Sequence, residues 1–143
     1  MMLFTLGYEK RNISDFIEIL RRARVDTLVD VRETAWSHKR DFCKTKFSTA
    51  LKDVGIEYIH LKQLGNPKQL RKSTSKDGIL NKYKSYLEET ESGIFELLVL
   101  LDNARVENKN VCLTCFEKLH VECHRSIIAD HIKGSISGKI THL

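Results

Sequence analysis

The chain has no apolar run near the length that spans a bilayer. It also has no repeats, no low-complexity tract and no linker. Met1 to Gly7 lacks the basic flank and long apolar region of a signal peptide and reads instead as a first strand. Cysteine is scarce, with four residues. Without an export signal, these are expected to be reduced thiols in a cytoplasm rather than a disulfide frame. Together these absences exclude a membrane-spanning chain and a string of domains.

What is present suits one domain covering residues 1–143, of which 41% are hydrophobic, enough for a real core. The net charge is +5 but unevenly spread. Between His38 and Lys84 twelve lysines and arginines face four acids, a surplus of +8 that leaves −3 for the remainder. A regional surplus of this kind favours an anionic partner such as a nucleotide or nucleic acid, or else forms a solvated basic surface.

Leu3 to Gly7 reads as a strand ending at Tyr8. Asn12 and Asp15 have capping-box spacing, and Ile13, Phe16, Ile17 and Leu20 continue a helix to about Arg24. Thr27 to Val31 lacks alternation, which implies a strand covered on both faces. Asp30 within it then needs a partner, which an arginine or backbone N–H groups at the strand end could supply. Trp36 to Arg40 is an ordered loop. Phe47 to Val54 is a helix stopped by Gly55, and Ile56 to Leu61 is a third strand. Leu64-Gly65-Asn66-Pro67 is a turn, and residues 68–78 are basic and expected to be mobile. Helices follow at Ile79 to Glu89 and Ile94 to Ala104, broken near Ser92-Gly93, the second burying Ile94, Phe95, Leu98 and Leu101. Val111 to Cys115 is a strand, Cys123 to Ile132 a helix, and Lys139 to Leu143 an edge strand. The alternation predicts a three-layer α/β domain, with a mostly parallel sheet of about five strands and helices on both faces. Ligands of such sheets bind beyond the strands' C-terminal ends.

That edge collects the candidate residues. Cys112 and Cys115 invite a zinc reading, but an odd spacing on a strand points them to opposite faces and no turn residue separates them. Cys112 is then a core residue. Cys123 precedes a helix beside His124 and Arg125, where N–H groups and cations stabilise a thiolate nucleophile. The same groups could hold an anion directly. Alternatively Cys123 is buried at the helix start, with Arg125 paired to Glu117 or Asp130. Glu117 suits a general base, an arginine partner or a hydrogen-bond acceptor. Arg32 suits a bidentate anion contact or an ion pair with Asp30. Tyr8 and Trp36 could stack on a ring or simply pack. His131 and His142 receive no role.

These residues carry a resemblance. Thr5-Leu6-Gly7-Tyr8, Leu28-Val29-Asp30-Val31-Arg32 with Ser37, Gly55-Ile56-Glu57-Tyr58 with His60-Leu61, Leu64-Gly65, Cys115-Phe116-Glu117, Cys123-His124-Arg125-Ser126 and His142-Leu143 resemble domain-of-unknown-function family 488. The resemblance implies a single flavodoxin-like α/β domain and no established activity. Two departures stand out: Glu33 to Trp36 holds no proline, and Asn66 replaces a second glycine. The Asp-Val-Arg segment and the Cys at a helix start are also similar to the sulfur-transfer rhodanese domain, although only His124 separates Cys123 from Arg125 here. The resulting expectation is a strand-end cleft for a phosphate-bearing ligand. Gly7, Tyr8, Arg32, Ser37, His124, Arg125 and Ser126 would bind it, and Cys123, Cys115 and Glu117 would react in a thiol-dependent enzyme. No resident metal or cofactor is expected. A non-catalytic nucleic-acid-binding module is the rival. A metal-supported fold using Cys115, Cys123 and His124 comes third.

Overall fold

A computed structural model describes residues 1–72, 75–119 and 123–143, without the side chains of Lys72 and Lys76. The part of the basic stretch expected to be mobile that falls at 73–74, and the middle of the loop after residue 119, lie outside the described residues.

Five parallel strands form one sheet: β1 (Leu3–Gly7), β2 (Thr27–Asp30), β3 (Glu57–His60), β4 (Val111–Cys115) and β5 (Ile140–His142), in the order β3-β2-β4-β1-β5. The three-layer α/β architecture is the one expected. The strand order is not the flavodoxin-like 2-1-3-4-5, because β4 inserts between β1 and β2. Side chains alternate along each strand and fill two cores. Val29, Val31, Leu113 and Cys115 point to one face, and Phe4, Leu6, Leu28 and Cys112 to the other. Cys112 is a core residue, as its spacing from Cys115 implied.

Helices α1 (Ile13–Arg22) and α2 (Lys44–Asp53) cover the Cys112 face with Phe16, Leu20, Phe47 and Leu51. Helices α3 (Lys76–Glu89), α4 (Glu91–Val106) and α5 (His124–Ile132) cover the other with Tyr83, Leu87, Leu97, Leu101, Ile128 and Ile132. The Asn12 side chain accepts from Asp15 N at 2.8 Å and caps α1. Gly55 ends α2 with φ +78°, where a side chain would strain the backbone.

Two expectations about α4 are corrected. The break falls at Thr90, whose extended backbone separates α3 from α4, and not at Gly93. Gly93 is helical and buried against Leu64 and Gln63, where a Cβ would be crowded. That close approach sets the rotation of the helix. Ile94, Leu97, Leu101 and Ala104 face inward, and Phe95 is 68% exposed.

Candidate functional site

The β2 end is built by residues two apart. Asp30 is fully buried at the end of a strand with covered faces. Arg32 bends back over it and donates from Nε at 2.9 Å and from Nη2 at 2.7 Å, while its backbone N–H adds a third bond at 3.1 Å. Tyr58 donates to the same carboxylate at 2.6 Å, and Arg32 Nη1 donates to the Tyr8 hydroxyl at 3.2 Å. Burial alone would lower the Arg32 pKa, but bonding to Asp30 outweighs it and the value rises. Burial and then the Asp30 charge push Tyr58 up. The carboxylate thus has the partners its burial demands. Each nitrogen of the guanidinium is thus held by a protein group.

The β4 end is built by residues distant in sequence. The chain after Cys115 crosses directly over Gly7: a Cβ there would run into the Glu117 carbonyl and crowd Arg125. Glu9 N donates to Phe116 O at 2.7 Å and Lys118 N to Glu9 Oε1 at 3.1 Å, tying the β1 and β4 loops together. Arg125, 1% exposed, reaches out from α5 beneath them. It donates to the Glu117 carbonyl, to Lys118 O at 3.1 Å and to Cys115 Sγ at 3.2 Å. Burial lowers its pKa to about 10, opposed by the Glu117 charge. Arg125 is therefore a clamp on the loop and not a direct anion ligand.

His124 opens α5. Its Nε2 lies 2.7 Å from the Val31 carbonyl, which can only accept, so Nε2 carries the proton and Nδ1 keeps its lone pair. Nδ1 lies 3.8 Å from Cys123 Sγ. Burial lowers the His124 pKa to about 4, only partly offset by the Val31 bond, and the ring is neutral near pH 7. Tyr83 packs edge-on to this imidazole and donates to Leu64 O at 2.7 Å.

Cys115 and Cys123 are paired sulfur to sulfur, leaving Cys43 and Cys112 free. The expectation of four reduced thiols is thereby corrected for two of them. The reason is topological: the end of β4 and the start of α5 meet on one face of the sheet. The paired form holds no thiolate at Cys123, so the nucleophile expected there exists only when the pair is reduced. The group Cys115, Cys123 and His124 brings its ligand atoms within 4.8 Å of one another.

A cavity of about 520 Å³ opens between these two ends. Tyr8, Arg32, Cys115, Glu117 and His124 line it, as the sequence grouped them. Gly7, Ser37, Cys123, Arg125 and Ser126 do not. Gly7 admits the crossing loop, and Ser37 shapes its own loop through Lys39 N at 3.1 Å. Ser126 bonds Cys123 O at 2.8 Å and lines a separate hollow beside Asp130. Sequence reasoning missed Asn66, Lys68 and Arg71 as wall residues. Their only signal was membership of the turn and basic stretch that follow the third strand. Asn66 is buried, and its Oδ1 has no hydrogen-bond partner among the described residues.

The sheet and its strand-end cavity define a parallel α/β domain with a Cys–His corner at the mouth of its central strand. The chain belongs to the family described as domain of unknown function DUF488, which it matches over residues 12–132. No curated protein and no solved structure matches it. No helix among the described residues is long and apolar enough to cross a membrane.

Proposed function

We propose that this is a cytoplasmic protein whose strand-end cavity binds a nucleotide. The composition of the cavity carries this reading: one volume of about 520 Å³ holds aromatic faces, cations and an unpartnered buried acceptor. Trp36, 59% exposed, and Phe116 offer faces for a base. Lys68 and Arg71, both exposed, supply charge for phosphate in place of the committed Arg32 and Arg125. Asn66 Oδ1 suits an amino or hydroxyl donor on the ligand. Glu117 stands at this wall as a group able to exchange protons with a bound ligand, joined by Cys115 only when its pair with Cys123 is reduced, which is the enzymatic form of this reading.

Trp36 is the only tryptophan, so its fluorescence reports directly on the cavity. Titration with nucleoside mono- and diphosphates should quench it saturably, and Arg71→Gln should weaken binding roughly tenfold, the effect of one charged contact. Absence of saturable binding to any nucleotide would sink the proposal. Preference for single-stranded oligonucleotides, with affinity falling steeply in salt, would instead favour the nucleic-acid-binding module.

A further inference from the structure

We propose that Cys115, Cys123 and His124, with the Glu117 carboxylate beside them, form a zinc site at the wall of the cavity. This rests on the side-chain cluster alone and does not depend on the nucleotide reading.

Donors held 2.0–2.3 Å from a tetrahedral ion lie about 3.5 Å apart. Cys123 Sγ and His124 Nδ1 are 3.8 Å apart, and Cys115 Sγ and Glu117 Oε2 are 3.7 Å apart. The sulfurs and the imidazole nitrogen fall within 4.8 Å of one another, and the two sulfurs, bonded in the paired form, must part to about 3.5 Å to share an ion. The Cα atoms of the two cysteines stand 7.3 Å apart, beyond the roughly 4.4–6.8 Å usual for a disulfide, a separation that two thiolates on one ion accommodate.

The surroundings match a ligand set. A metal-bound histidine commonly donates its other N–H to a carbonyl or carboxylate, which fixes the ring and its tautomer. His124 does this through Val31 O, and its unprotonated Nδ1 faces the sulfurs. Arg125 donates to Cys115 Sγ, and a cationic donor at sulfur favours the thiolate. Two thiolates and an imidazole select zinc among common divalent ions. Cys115, Glu117 and His124 also line the cavity. The fourth position can therefore be taken by Glu117 or left to an incoming ligand, as in zinc sites that act on substrates.

Binding transfers no electrons. The reduced pair loses two thiol protons to solvent as two Zn–S bonds form. The paired form must first be reduced, as by a phosphine, which with one water gives two thiols and the phosphine oxide.

The full chain, reduced with a phosphine in metal-free buffer, is titrated with Zn²⁺ against a chromophoric chelator and separately with Co²⁺. The proposal expects about one ion per chain and a thiolate-to-cobalt charge-transfer band, whose strength reports sulfur ligation. Cys115→Ser and Cys123→Ser should each weaken Zn²⁺ by roughly 100-fold or more and diminish the band, His124→Ala by at least tenfold, and Cys43→Ser should change neither. Wild-type protein with its thiols shown reduced, yet giving no stoichiometric binding and no band, would overturn the proposal, whatever the variants' folding. So would a disulfide that resists the reductant in folded protein, or undiminished binding in both Cys→Ser variants.

Discussion

The two strand ends that frame the cavity solve one problem, a buried arginine, in opposite ways. At β2 the cation and its counter-charge are neighbours in sequence, and each guanidinium nitrogen of Arg32 donates to Asp30 or Tyr8. At β4 the cation comes from α5 and spends its donors on loop carbonyls and a sulfur, with no partner for Nε among the described residues. Its depressed pKa, against the raised one of Arg32, records that difference. The β2 end is a closed electrostatic unit that gives the cavity a rigid wall. Among the described residues, the β4 end instead ties its cation to loop carbonyls and a sulfur, so its arginine holds a loop in place where the β2 arginine closes an ion pair.

Asp30→Ala is the sharpest way to break the first unit. It strands the Arg32 charge, and the urea midpoint should fall by an amount equivalent to about 3–5 kcal/mol. Replacing Asp30 and Arg32 together by leucine and methionine should recover most of that loss. If the double variant is as unstable as the single one, the closed-unit reading fails. Gly7→Ala attacks the second end by forcing the crossing loop off β1. A cost of about 3 kcal/mol is expected from denaturation, with amide shifts concentrated at residues 115–118. Arg125→Met should cost less, about 2 kcal/mol, since the freed Glu117 and Lys118 carbonyls lie near solvent and can be hydrated. A loss matching that of Asp30→Ala would show the two arginines to be equivalent. Smallest in stability is Trp36→Ala, within about 0.5 kcal/mol of wild type because the ring is largely exposed. Its nucleotide affinity, by calorimetry, should nevertheless fall roughly tenfold through lost stacking.

How much of this could be read from the chain follows the same division. The β2 end was legible because a carboxylate in a two-sided strand must find a partner, and Arg32 stands two residues away. The opposite faces of Cys112 and Cys115 followed from strand periodicity. Strand order was not legible, because nothing local says that β4 inserts between β1 and β2. The Val31–His124 bond spans 93 residues and has no signature at either end. Asn66 looked like a turn residue, since its burial depends on the loops packed around it. Phe95 falls inward by helical spacing with Leu98 and Leu101, whereas the Gly93–Leu64 approach accompanies a helix turned the other way. The pairing of Cys115 with Cys123 overrode an inference made from cellular compartment, which carries no geometric information.

The insertion of β4 also bears on how the chain folds. β1 and β2, the first strands made, never bond to each other, and only β4 joins them. The Thr114 hydroxyl meets the Leu6 carbonyl across a separation of 108 residues. Closing so long a loop is entropically costly before any native contact repays it, so the sheet should form late and slowly. On a ribosome, β2 and β3 can pair early, but β1 has nothing to join until β4 has emerged. The joining of β1 to the rest of the sheet and the creation of the Cys–His corner therefore both await the last third of the chain.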